Sequence, residues 1–335
     1  MNRGQWIKRP TPSVACWLLP ILVSGCISGQ PRPPASDDDR DLGRRAQDLL
    51  IRAVQSDDPV VRANAIEALV HVAPNEGLPY FRASIDDGAP LVRFAACMAI
   101  GEIQDTASRS AVTRRLKDEK PRVRLAAAYA GYRLGDQQLA SLLVEALGDH
   151  PDEDMRCDAA FLIGKCGDAR AMRRLKLMEQ RERGPKAIMH IKAAMAALGN
   201  RAAQDDIIRT SLESEPVAKL LALQTMVELR SPAVGEALRY RLSQEGDYLE
   251  ARLLAARGLG RLGSAVGYDL AIDSLRHRDK EQVDTMRVRS LAALALGAIG
   301  DSRALAELAR TAENESDART QVAACYAICE ILAKN

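Results

Sequence analysis

The chain has 335 residues, with 47 lysines and arginines against 45 aspartates and glutamates, for a formal net charge of +2. That balance excludes the broad basic excess by which proteins neutralise nucleic-acid phosphates. No Gly-rich phosphate loop, nucleophile elbow or zinc-protease helix occurs, so the usual signatures of catalysis are missing too.

At the N-terminus, "MNRGQWIKRP" carries three basic residues and no acid, and "SVACWLLPILVSGC" then runs apolar for about a dozen residues, too few to span a bilayer comfortably. This has the form of an export signal, and its end, Val23-Ser24-Gly25-Cys26, resembles the bacterial lipobox, whose cysteine receives lipid. The resemblance implies a signal peptide over residues 1–25 and a lipidated Cys26. It implies anchoring to a membrane of the cell envelope, with Ile27 pointing to the outer membrane facing the periplasm. Loss of Arg3, Lys8 and Arg9 with the signal leaves 44 basic against 45 acidic residues. Residues 26–38, rich in Pro, Ser and Asp, read as a tether.

From residue 39 onward one phrase recurs: "VRFAACMAIGEIQD" from Val92, "VRLAAAYAGYRLGD" from Val123, "MRCDAAFLIGKCGD" from Met155, "ARLLAARGLGRLGS" from Ala251 and "VRSLAALALGAIGD" from Val288. Its anchors are Arg62, Arg93, Arg124, Arg156, Ile188, Lys219, Arg252, Arg289 and Gln321, spaced 31, 31, 32, 32, 31, 33, 37 and 32 residues apart. A period of this length predicts stacked two-helix units. Three residues after the anchor, eight of the nine units have alanine, and ten residues after it they have a mostly aliphatic residue. Offsets −1, 3, 7 and 10 share one helical face, which is the predicted core. Gly135, Gly167, Gly199, Gly263 and Gly300 fit the left-handed residue that closes a helix. The following Asp136, Asp168, Asn200, Ser264 and Asp301 fit the N-cap of the next.

The phrase resembles the HEAT repeats, specifically the short HEAT-like type named after phycobilin lyases. The resemblance implies an all-α fold, an α-solenoid with a right-handed superhelix of about nine two-helix repeats over residues 39–335, and the unbroken period implies one elongated array. The units at Ile188 and Lys219 lack the arginine, so the array is expected to bend or bind differently there.

Small-residue packing is the favoured reading of Cys97, Cys166 and Cys325, which occupy core columns. The cluster Asp149, His150, Asp152, Glu153 and Asp154 reads as helix capping rather than as a cation site. No metal, cofactor, nucleic acid or small-molecule substrate is called for, and no enzymatic role is expected. Offsets 5 and 9 lie opposite the core face and predict an exposed inner surface. On it Met98, Tyr129 and Phe161 form an apolar stripe margined by Glu102, Arg133 and Lys165, with Arg257 and Arg261 farther along. Exposed aromatics beside arginine suit a protein-binding hot spot. The expected function is a membrane-tethered, non-catalytic scaffold for another protein, with a subunit of a chromophore-lyase-like or other enzyme complex as the alternative.

Overall fold

The computed structural model describes residues 36–213, 215–229, 231–277 and 282–334. Among them stand nine antiparallel helix pairs. The first helices of the pairs are α1 (Asp37–Ala53), α3 (Pro74–Ser84), α5 (Arg109–Arg115), α7 (Ala140–Asp149), α9 (Met172–Arg181), α11 (Arg201–Ser211), α13 (Gly235–Ser243), α15 (Tyr268–Leu275) and α17 (Leu305–Asn314). Their partners are α2 (Pro59–Val72), α4 (Pro90–Ile103), α6 (Pro121–Arg133), α8 (Glu153–Cys166), α10 (Pro185–Ala197), α12 (Pro216–Leu229), α14 (Leu249–Arg261), α16 (Gln282–Ile299) and α18 (Ala318–Lys334).

The punctuation falls where the sequence puts it. Gly135, Gly167, Gly199, Gly263 and Gly300 all have positive φ. Asp136, Asp168, Asn200 and Asp301 accept hydrogen bonds from amides of the following turn. Proline opens α2, α4, α6, α10 and α12, where its fixed φ suits a helix start and its missing N–H costs nothing. Within the acidic cluster, Asp152 caps its own helix α8, whereas Glu153 accepts from the Lys186 and Ala187 amides and so caps α10 of the next repeat.

The arginine anchors tie loops together. Arg93 donates through Nη1 to the carbonyls of Asp87 and Gly88, and its other edge forms a bidentate pair with Asp118 at 2.9 Å. Arg62 does the same with Ser56, Asp57 and Asp87, and Arg156 with His150, Pro151 and Glu182. Arg124 keeps the carbonyl half of the pattern, to Asp118 and Glu119. Asp118 thus receives one repeat's guanidinium while its own carbonyl receives the next, which links successive loops into a ladder.

The array is not open. α18 packs against α1 and α2 as though they were a tenth repeat. Arg319 pairs with Asp58 at 3.1 Å, Arg45 pairs with Glu313 at 3.1 Å, and Leu332 covers Gly43. This corrects the elongated shape expected from the period. The reason is a wedge: neighbouring second helices touch closely through alanine and glycine, while the first helices hardly meet one another. At Gly260 a Cβ would stand 2.6 Å from the Ile299 amide nitrogen, and at Gly164 it would stand 3.0 Å from the Ala194 Cα. Nine such wedges close a full turn at about 40° each. The alanine-rich helices therefore form the inner wall of a ring.

Two outcomes follow from this geometry. Small-angle scattering of residues 36–335 should give a radius of gyration near the ~19 Å of a compact chain of this length, against a markedly larger value for an open array. Asp118→Ala leaves Arg93 buried without its carboxylate and should cost about 3–5 kcal/mol in denaturant unfolding. Burial alone would push Asp118 up, but Arg93, the Lys120 amide and Arg115 hold it at about 2, and Arg156 with the Gly184 and Arg183 amides holds Glu182 at about 2. Both carboxyls lie below their unfolded values of about 4, so the stability they supply is complete above that pH. It should be lost as pH falls from about 4 to 2, with a shallower acid limb in Asp118→Ala.

Candidate functional site

Ring closure turns the inner wall into an interior where offsets 5 and 9 of many repeats converge. Glu102 of α4 is one hub. It accepts from the Tyr129 hydroxyl at 2.6 Å, pairs with Lys165 at 2.7 Å and lies 4.0 Å from Arg133, which itself donates to the Tyr129 oxygen. Burial pushes Glu102 up, but Lys165, Tyr129 and Arg133 together hold it below its ordinary value. Tyr129 is raised well above the usual phenol range by burial and by the carboxylate beside it.

Next to this hub, Glu67, His71, Met98, Phe161 and Lys165 line a small pocket. Desolvation raises Glu67 well above the ordinary carboxylate value, with Lys165 lowering it, Glu228 raising it, Arg257 lowering it and Glu102 raising it. Those four groups belong to α8, α12, α14 and α4, so the interior is a single electrostatic unit. On its far side, Arg261 donates to the Val227 carbonyl at 3.3 Å and pairs with Glu228 at 3.5 Å. Arg257 is 4% exposed, and burial with the neighbouring Arg261 lowers it below the ordinary guanidinium value.

The expected residues do come together around this interior, but not as an exposed stripe. Met98, Glu102, Phe161 and Lys165 share one pocket, and Tyr129 and Arg133 join them through Glu102. Only Phe161 keeps the expected exposure, at 37%, with the Lys165 ammonium 5.7 Å from its ring centre. Tyr129 is 0% exposed and Arg257 nearly so. The correction has a simple cause: the side of an inner helix opposite its own partner faces other inner helices, not solvent. Glu67, His71, Glu228, Tyr326 and Glu330 share the same two offsets, and that register was the signal by which they could have been added. Cys26 lies outside the described residues. Cys97, Cys157, Cys166, Cys325 and Cys329 are free thiols that burial pushes up to about 12.

Tyr129→Ala should therefore behave as a core truncation, costing about 3–5 kcal/mol in thermal or denaturant unfolding. Glu67→Gln should act in the opposite direction. A carboxyl whose folded pKa is raised supports the fold while protonated, and loses that support as pH rises above its unfolded value of about 4.3. The wild-type chain should lose stability on going from about pH 4.5 toward neutrality, and Glu67→Gln should remove that slope and melt higher at pH 7.

Residues 78–164 match the family model described as HEAT repeats, and residues 288–314 match that of the PBS lyase HEAT-like repeat. No curated protein matches the sequence. Among solved structures the chain is similar to the complex of CpcE and CpcF of phycocyanin lyase from Nostoc sp. PCC7120, at 16% identity and a TM-score of 0.44, covering 80% of this chain and 98% of that one. It is also similar to human deoxyhypusine hydroxylase, at 18% identity and a TM-score of 0.39, covering 89% and 99%. A third likeness is to Kap121p, at 12% identity and a TM-score of 0.35, covering 84% and 37%. At these identities the likeness is one of fold. The expectation of no enzymatic role is overturned by the repeat matched over 288–314, which is described as the PBS lyase HEAT-like type. With nine helix pairs in one register among the described residues, the chain is an all-helical repeat protein, and its residues 78–164 and 288–314 are HEAT-like repeats.

Proposed function

We propose that this ring is a scaffold that docks another protein through the edge formed by α11–α14. The observation that supports this reading is a cluster of exposed apolar side chains at the Lys219 unit, which lacks an anchor arginine, and at the unit that follows it. Tyr240 is 52% exposed and Tyr248 44%, and Leu212 and Val217 are exposed beside them. A buried knot holds all four in place. Arg241 donates to the Ser211 carbonyl at 2.6 Å, next to Leu212, and pairs with Asp247 at 3.2 Å, next to Tyr248. Lys219, two residues after Val217, pairs with Asp247 at 2.9 Å and lies 5.7 Å from the Tyr248 ring centre. Rigid tyrosines over fixed cations offer contact area at little entropic cost, the usual makings of a hot spot.

The reading includes a signal peptide over residues 1–25, a lipid on Cys26, a tether over 26–38 and a place in the bacterial cell envelope. Among the described residues no helix is long and apolar enough to cross a membrane, so the proposed attachment rests on Cys26. A second reading, a subunit of an enzyme complex, is favoured by the PBS lyase HEAT-like repeat at 288–314. It uses the same docking edge.

Capture from solubilised envelope should retain a defined partner with the wild-type chain. Tyr240→Ala and Tyr248→Ala should each weaken that capture by about 1–3 kcal/mol in affinity while leaving the melting temperature nearly unchanged. Unaltered capture by the double variant would place docking elsewhere, and an enzyme subunit among the partners would select the second reading. Labelled fatty acid should enter the wild-type chain in a bacterial host, but not Cys26→Ser.

A further inference from the structure

The ring interior holds more positive charge than its carboxylates satisfy. Lys165 and Arg133 share Glu102, Lys334 pairs with Glu330 at 3.3 Å, and Arg261 reaches Glu228 at 3.5 Å. That leaves Arg257 with no ion-pair partner among the described residues, although it is 4% exposed. The remaining interior acid, Glu67, lines the pocket with Lys165 and Glu102 and makes no ion pair with Arg257. Nε and Nη2 of Arg257, and Nε and Nη2 of Arg261, are buried with no hydrogen-bond partner. The two residues are one turn apart on α14, so their forks stand side by side.

A buried guanidinium N–H left unmade costs more than an ordinary lost hydrogen bond, and here four such nitrogens lie together on two cations. Water would accept some of these bonds but would bring no charge. A carboxylate or phosphate group accepts two parallel N–H bonds from a guanidinium fork and supplies the missing charge as well. Access exists on one side of the ring. α10 and α12 pack less closely than any other neighbouring pair of inner helices. Solvent reaches the wall there, where the Glu228 side chain is 37% exposed and Ala197 is exposed.

We propose that Arg257 and Arg261 form an oxyanion site in the ring interior, which takes a small phosphate- or carboxylate-bearing ligand entering between α10 and α12 past Glu228. Glu228 then acts as the internal competitor that occupies Arg261 until the ligand arrives.

The test uses the full chain, with inorganic phosphate and succinate as probes at ionic strength held constant with sodium chloride. Equilibrium dialysis should show saturable uptake of one of the two at one site per chain, with a matching dose-dependent rise in melting temperature. Arg257→Lys and Arg261→Lys keep the charge but lose the fork, and should weaken uptake at least tenfold. Arg303→Gln, on the outer surface, should not. Glu228→Gln frees Arg261 at a half-exposed position and should tighten uptake several-fold, a gain that a merely destabilised fold cannot imitate. Uptake of phosphate alone or of succinate alone would identify the ligand class. Uptake no greater than that explained by chloride, wild-type affinity in both lysine variants, or weaker uptake in Glu228→Gln would overturn the site.

Discussion

The structure depends on one side chain used many times. An arginine, present at the anchor of six of the nine inner helices, has five N–H groups in a planar fork, enough to bind the loop behind it and the loop ahead of it at once. Arg93 shows the full pattern, with two carbonyls five and six residues back and an acid 25 residues on. The part-buried loop carbonyls would otherwise lack donors, at a cost comparable to a lost hydrogen bond each. The departures show the constraint by how they are repaired. Lys219 is a point charge that pairs with Asp247, and Arg241 from the following helix supplies the carbonyl bonds to Ser211 and Glu213. At Ile188 there is no cation, and the start of α10 is held instead by Glu153 on its amides.

Loops fixed in this way set the angle between repeats, and the angle sets the shape. Small residues on the inner helices and larger ones on the outer helices make every unit a wedge of the same hand, so its effect adds until the chain meets its own start. The joint between last and first repeats uses different chemistry from the others. Gln321 stands at the anchor position and donates only to the Glu315 carbonyl, while Arg319 carries the pairing to Asp58. Closure removes both free ends of the solenoid, which otherwise need capping repeats with polar outer faces.

Period, helix pairs, core face and caps were all legible in the sequence because each is a local property that repeats. The Ala at offset 3 and the Gly-Asp ending report on one helix and its neighbour, and those contacts recur at a fixed spacing. Closure was not legible, because Arg319 and Asp58 are 261 residues apart and no local pattern announces their pairing. The burial of Tyr129 has a different and local cause: its side chain lies over Gly101 and reaches Glu102 on the inner helix of the preceding repeat. Phe161 keeps partial exposure although it lines the pocket with Met98 and Glu102.

The same two departures therefore shape both surfaces on which function is proposed. With no guanidinium at Ile188 and alanines at both inner offsets, the joint between α10 and α12 is the loosest in the inner wall, and Glu228 beside it is in reach of solvent. One repeat farther on, the substitute knot of Lys219, Arg241 and Asp247 draws its cations under tyrosine rings and turns those rings outward. α12 belongs to both features: its first turn carries Val217 and Lys219, and its last carries Glu228 beside Arg261. A partner seated on the outer edge would press on the start of the same helix whose end guards the interior. A rigid helix of 14 residues, about 21 Å long, is a physical element through which the two ends feel each other.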